Sequence, residues 1–473
     1  MRGILLTLVA SVLLWGCGDD ASMMVDAGLD ALDASLDAQV DAGGNTLQPR
    51  VDAVLAALEP WAAAGWYDTI VIGMREGDVE AYGGIGTVDG APVGADTMYE
   101  IGSISKTFAG LLLADAIERG EMTLDTPLQD LVSGTIPTGP SGGAIRMRHL
   151  TTHTSGLPTF PDDIVFESLD DIATYEDTDL FAWLESFALP REPGEAFEYS
   201  NMGVGLLGYA VARASDDRFE PLLQTRILDP MGLEATTVEL VDGAPEPRDH
   251  LLQATTPIAL SEVFSAAGEM RSSAREMMRY ARHQLHPEEL SGTLANAIAE
   301  SHEPVASMDG LSIAYNWFFR DSDEVIWHNG ATNGMAAYLA VVPAEDRAVT
   351  VLTNVRNHIE HGPHYVWALD ALRQLDPVYR EPPVDHAIED LAVLDDYVGA
   401  YDLVGMRTEV TRVGDHAEIQ VEGQPRFPLF ARDVDSFYLR VIEARIDFLR
   451  DDAGLVYAFE LFQGGRVEAP RIE

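Results

Sequence analysis

Ile101-Gly-Ser103-Ile-Ser105-Lys106-Thr-Phe contains the only lysine of the 473-residue chain; every other fixed cation is arginine. On a solvated surface the two are nearly interchangeable. They are not where an amine must lose its proton, because a guanidinium stays charged at any ordinary pH. Lys106 follows Ser103 by three residues, and positions i and i+3 share one face of a helix. The amine can therefore reach the hydroxyl and help take its proton, which makes Ser103 a candidate nucleophile.

A nucleophile needs a proton shuttle and donors for the developing oxyanion. Downstream, Phe197-Glu-Tyr199-Ser200-Asn201-Met-Gly203 offers a phenol and an amide two residues apart, which an extended or turn segment projects to the same side. Later, Trp327-His328-Asn329-Gly330-Ala331 ends a strand-like run with a polar group followed by glycine.

These groups need a frame. Thr97–Ile101 reads as a strand, and Thr107–Glu118 as a mostly apolar helix closed by Gly120. Arg50–Ala64 reads as a helix. Asp68–Arg75 and Val79–Tyr82 form a hairpin around Glu76-Gly77-Asp78. The middle, from about Phe108 to Met278, is rich in helical patterns. Ile326–His328, Met335–Val342 and Ala348–Leu352 read as strands, and Pro363–Leu375 as a helix. Strands near both ends with helices between predict one sheet built from distant parts of the chain, plus a helical insertion; the expected fold class is an α/β sandwich, an antiparallel sheet flanked by helices with a helical subdomain. After Asp376-Pro-Val-Tyr-Arg-Glu-Pro-Pro383 the texture changes to short alternating segments such as Glu409–Val413, Ala417–Val421 and Ile446–Leu449, which predict a small all-β domain.

Composition bounds the partners. A net charge of −48 argues against nucleic acid and anionic lipid surfaces. Met1–Cys17 reads as a secretory segment of lipoprotein type, with Leu13-Leu-Trp-Gly-Cys17 similar to a lipobox and Cys17, the only cysteine, as the acylated residue. That expectation puts the protein at the bacterial cell envelope, periplasmic or on the cell surface, touching membrane only through the lipid. Gly18–Gln48 carries seven aspartates and no cation, the composition of a solvated tether. The expected division is therefore 1–17 signal, 18–48 tether, 49–375 main domain, 376–390 linker and 391–473 β domain.

In order and rough spacing, Ser103-x-x-Lys106, Tyr199-x-Asn201 and His328-x-Gly330 resemble the serine β-lactamase and penicillin-binding-protein superfamily. The chain is most similar to its class C β-lactamase-related branch of esterases, D-aminopeptidases and D,D-carboxypeptidases. Leu150-Thr-Thr-His153-Thr-Ser-Gly156-Leu-Pro158, Pro230-Met-Gly-Leu233 and Ala266-Ala-Gly268 add to the likeness, which covers about residues 50 to 375. The C-terminal part resembles the lipocalin-like domain appended to some peptidases of this branch. The resemblance implies acylation of Ser103 by an ester, amide or β-lactam, with Lys106 and Tyr199 sharing general-base duty. It implies that Asn201 and His328 bind substrate, and that the backbone N–H groups of Ser103 and Ala331, beside Gly330, form the oxyanion hole. No cofactor or metal is called for, and the partner is a small-molecule or peptide substrate. The alternative function is a penicillin- or peptidoglycan-fragment-binding protein with little turnover.

One position departs from the family pattern: typical β-lactamases open the third motif with lysine, and this chain has His328. Near pH 7 a histidine is a part-time cation, which puts antibiotic hydrolysis in doubt. Of the competing patterns, Gly139-Pro-Ser141-Gly-Gly143 matches a nucleophile elbow but falls in a loop, and reads as a turn. His149 and His153 have helical metal-ligand spacing without the intervening glutamate, so His153 reads as structural. His358, His361 and His364 read as surface histidines, because Gly362-Pro363 interrupts any helix joining them.

Overall fold

Ile70-Val-Ile-Gly-Met-Arg75 is buried at every position, the signature of a strand covered on both faces. In the computed structural model this strand, β1 (Ile70–Glu76), pairs with β2 (Val79–Ile85) on one side. On its other side lies β10 (Arg347–Thr353), from the far end of the domain. The structure describes residues 47–472 apart from 165–169, 250–251, 309–310, 321–324, 357–362, 376, 378, 380–381, 384, 423–425, 441–443 and 464. The expected signal segment with Cys17 and the acidic tether lie outside the described residues.

Besides a short Thr87–Val88/Ala91–Pro92 hairpin, the other strands of this part are β3 (Met98–Glu100), β4 (Arg271–Ser273), β5 (Ala306–Met308), β6 (Leu311–Ala314), β7 (Trp317–Arg320), β8 (Ile326–Ala331) and β9 (Ala336–Val342). The main sheet is antiparallel throughout in the order β2-β1-β10-β9-β8-β7-β6-β5, and β3 pairs with β4 as a separate two-stranded ribbon. The sheet built from distant parts of the chain is thus as expected.

Helix α1 (Gln48–Ala63) lays Leu55 and Val51 over Gly83 of β2, where an added Cβ would meet Leu55 at 2.5 Å. Helix α5 (Pro363–Leu372) joins α1 through Trp61 and Trp367, ring centroids 6.1 Å apart. Helix α2 (Ser105–Glu118) is buried on every side from Ser105 to Ala116, as its mostly apolar sequence requires. It ends at Arg119, with Gly120 in the left-handed conformation (φ 75°) that favours glycine at this place. Helix α3 (Asn201–Ala214) and the helix Thr293–Ser301 pack on α2, and Phe108 stacks at 4.0 Å on Tyr280 of helix α4 (Ala274–Leu285).

The C-terminal part is a unit of its own. Its eight strands, β11 (Gly399–Leu403) to β18 (Arg466–Pro470), pair antiparallel in sequence order, and Ile472 N–H donates to Ala400 O at 2.8 Å, bringing the last segment back to the first strand. Inward residues fill this near-barrel: Tyr397, Tyr401, Phe437, Phe448 and Phe459 pack together, with Tyr397 and Phe448 stacked at 4.3 Å. Side chains occupying the interior are what an eight-stranded closed sheet accommodates.

Two readings are corrected. His364 is not a surface residue: it is fully buried and shares a 2.7 Å hydrogen bond with Tyr67 Oη. His358 and His361 lie outside the described residues. Ser103 does not share one α-helix with Lys106: it lies in a 3₁₀ turn, Gly102–Ile104, that leads into α2.

Candidate active site

The turn holding Ser103 is fixed from three directions. Ser105 Oγ donates to Gly102 O at 2.6 Å and accepts from Met270 N–H at 3.1 Å. Ile101 N–H donates to Met270 O at 2.9 Å. Strand β8 lies against the turn so closely that both partners must be glycine there. A Cβ on Gly330 would fall 1.9 Å from Ile101 O and 2.8 Å from Ser103 N, and one on Gly102 would fall 2.6 Å from Ala331 N. Gly102 also has φ 50°, a conformation that costs a non-glycine residue free energy.

Lys106 is fully buried on the first turn of α2. Its Nζ donates to Ser103 Oγ at 2.9 Å and to the carbonyl of Ala267, and stands 5.0 Å from the centroid of the Tyr199 ring. The serine, the lysine and the phenol, 96 positions apart along the chain, therefore meet at one point. Asn201 follows as the first residue of α3, buried, behind the N-cap Ser200, whose Oγ accepts from Gly203 N–H at 2.8 Å. Tyr199 thus precedes the helix that Asn201 opens.

His328 is fully buried on β8, its ring 5.0 Å from Phe318. Nδ1 lies 2.5 Å from its neighbour's carbonyl, Asn329 O. A carbonyl only accepts, so Nδ1 carries the proton and Nε2 is left as an acceptor. Burial, and then the nearby Lys106 charge, push the imidazolium pKa down to about 3. The part-time cation expected at this place is a neutral ring.

The Leu150–Pro158 motif wraps the Tyr199 segment. His153, at φ 56°, accepts Glu198 N–H on its carbonyl (2.8 Å) and Ser200 N–H on Nδ1 (3.1 Å). Its ring stacks on that of Tyr199 at 4.3 Å and 30°. Burial and the charge of Lys106 hold His153 well below its usual pKa, hence neutral.

Sequence reasoning missed two features. The carbonyl of Ala267 as a partner of Lys106 is a backbone group and has no residue-type signature. Glu100 is buried beside Arg271 (3.4 Å) and accepts from Thr332 Oγ1 (2.5 Å) and Ile258 N–H (2.6 Å). It ties the strand before Ser103 to the residue after Ala331 across 232 positions of sequence. Burial pushes its carboxyl pKa up, against these partners. Ser141 is an exposed turn residue between Gly139 and Gly143, its N–H donating to Glu192, as read from the sequence. Among the described residues no three His, Cys, Asp or Glu side chains gather as a metal site.

A beta-lactamase family model matches residues 50–371. The chain belongs to the beta-lactamase family. Penicillin-binding protein 4* of Bacillus subtilis is 24% identical over 433 residues, 85% of this chain and 94% of that protein. A beta-lactamase of Pseudomonas fluorescens is 26% identical over 305 residues, 56% of this chain and 81% of that one. Among solved structures, a class C beta-lactamase from Rhodobacter sphaeroides superposes with a TM-score of 0.58 at 25% identity, covering 68% of this chain and 99% of that one. A beta-lactamase/D-alanine carboxypeptidase from Pseudomonas syringae gives 0.59 at 19% identity, covering 68% and 99%, a likeness of fold. The family-matched span holds Ser103, Lys106, Tyr199 and His328, and leaves out the C-terminal near-barrel. Among the described residues no helix is long and apolar enough to cross a membrane.

Proposed function

We propose that the chain is a serine hydrolase that forms an acyl-enzyme at Ser103 on a neutral ester or amide. The observation that carries this reading is the 2.9 Å contact between Lys106 Nζ and Ser103 Oγ inside a buried site bordered by Tyr199. In the proposed cycle the Lys106–Tyr199 pair accepts the Oγ proton as Oγ attacks the substrate carbonyl. The N–H groups of Ser103 and Ala331 stabilise the oxyanion, and Asn201 orients the acyl group. The proton then passes to the leaving group, and water repeats the sequence on the ester to release the acid.

The neutral ring of His328 shapes the substrate preference. A lysine there would meet a carboxylate with a fixed charge, whereas this site offers an uncharged imidazole. Two arginines of this region are engaged with carboxylates: Arg271 with Glu100, and Arg248 with Asp68 and Glu246. Substrates without a carboxylate beside the scissile bond are therefore favoured over penicillins.

A second reading, an acyl-binding protein with little turnover, draws on the similarity to a penicillin-binding protein over most of the chain. Steady-state hydrolysis of p-nitrophenyl butyrate, a cephalosporin and a D-alanyl peptide by wild type and Ser103→Ala separates the two. The hydrolase reading requires many turnovers of the ester and none by the variant. A single stoichiometric burst with every substrate supports the binding reading instead.

A further inference from the structure

His153 makes three contacts with the Tyr199 segment, and the proton shuttle proposed above does not employ it. Its carbonyl accepts the N–H of the residue before Tyr199, its Nδ1 accepts the N–H of the residue after, and its ring lies on the phenol face. Phe318 of β7 backs the imidazole at 6.1 Å and 14°, and Phe197 meets it edge-on at 5.9 Å. Thr159, at the end of the same loop, donates to the carbonyl of Tyr199 at 3.0 Å, and Ser200 Oγ donates to Pro158 O at 2.7 Å. The tyrosine backbone is thus held on both flanks and its ring on one face. The holding residue is itself kept in a left-handed conformation that asparagine and histidine tolerate better than most.

From these contacts we propose that His153 is the positioning residue of the site: it fixes the ring plane and reach of Tyr199 toward Lys106 and takes no proton itself. The inference rests on the hydrolase reading, in which Tyr199 shares the base role. Holding a catalytic group in place is energetically large, since a displacement of about 1 Å can cost roughly 10²-fold in rate.

The test is a double-mutant cycle on p-nitrophenyl butyrate with His153→Asn, Tyr199→Phe and the double variant. Asparagine suits the backbone angle and keeps an acceptor for Ser200 N–H while removing the stacked ring. His153→Asn is expected to lose on the order of 10²-fold in kcat with KM within about 3-fold of wild type. In the Tyr199→Phe background the same change should have almost no further effect, because the group it positions is gone. A substitution that merely unfolds part of the sample lowers kcat by the same factor in both backgrounds. Equal factors, or a His153→Asn enzyme with wild-type kcat, overturn the proposal. Full activity in Tyr199→Phe overturns it together with the base role of Tyr199, whereas full activity in Ser103→Ala overturns the parent reading and the proposal with it. Should His153→Asn not fold, Thr159→Val loosens the same segment from outside the stacked pair. It must then give the same background-dependent loss, and equal losses in both backgrounds reject the clamp.

Discussion

The backbone of Gly330 lies against the carbonyl of Ile101 so closely that a Cβ there would stand 1.9 Å from the oxygen. Both neighbours are backbone, so no side chain can swing away to make room. Gly330→Ala must push β8 off the Ser103 turn, separating Ser103 N–H from Ala331 N–H. The expected outcome is a folded protein, with a thermal midpoint lowered by several degrees, that loses on the order of 10²-fold or more in kcat, the scale of one lost oxyanion donor. Steady-state kinetics beside a circular-dichroism melt checks it, and a variant with unchanged kcat contradicts the role of that contact.

Lys106→Arg keeps a positive charge and loses the ability to give up a proton. Its predicted cost is roughly 10²–10⁴ in kcat, the usual worth of a general base. Single-turnover kinetics with an activated ester locates that loss in the acylation step. Near-normal acylation by the arginine enzyme shows that charge alone suffices.

One buried and two partly buried neutral histidines make the fold sensitive to mild acid. Burial first, then nearby charges, lower the pKa of His328 to about 3 and of His149 to about 4; burial alone takes His302 to about 4. In the unfolded chain each titrates near 6.5. Their contribution to stability is full above pH 6.5 and is lost as pH falls toward the folded values. The fully buried His328 costs roughly 1.4 kcal/mol per pH unit once its unfolded form is protonated, and the partly exposed rings less. The urea midpoint is therefore predicted to drop between pH 7.5 and pH 5. A midpoint that holds or rises over this interval contradicts the burial of neutral rings.

The same ring predicts substrate charge preference. With matched esters that differ only in a carboxylate beside the scissile bond, kcat/KM should favour the uncharged member by roughly tenfold or more, about the worth of one charge contact. Competition between the two esters reads the ratio directly, and preference for the charged member means that a cation lies within reach of the site.

Much of this was legible in the sequence because the chemistry was local. Ser103 and Lys106 are three apart where a 3₁₀ turn runs into α2, and the solitary lysine stands out. The period-two and apolar runs located β1, β9 and β10 within a residue or two, since a strand buried on both faces leaves a continuous hydrophobic run. What stayed hidden depends on burial and long-range contact. His328 looked like a titrating group until Phe318 and Lys106 were seen around it. The pairing of Glu100 with Arg271 and Thr332, and of His364 with Tyr67, joins residues hundreds of positions apart. No spacing rule connects such residues. The motif around His153 was visible as a string of letters, while its hold on Tyr199 is a matter of tertiary geometry.

The account stands on Ser103 being the group that becomes acylated. Intact-mass measurement followed by peptide mapping after exposure to a fluorophosphonate tests this most directly. One adduct per chain, on Ser103 and absent from Ser103→Ala, is the predicted result. A chain that stays unmodified, or one labelled at Ser141 or elsewhere with Ser103 untouched, contradicts it.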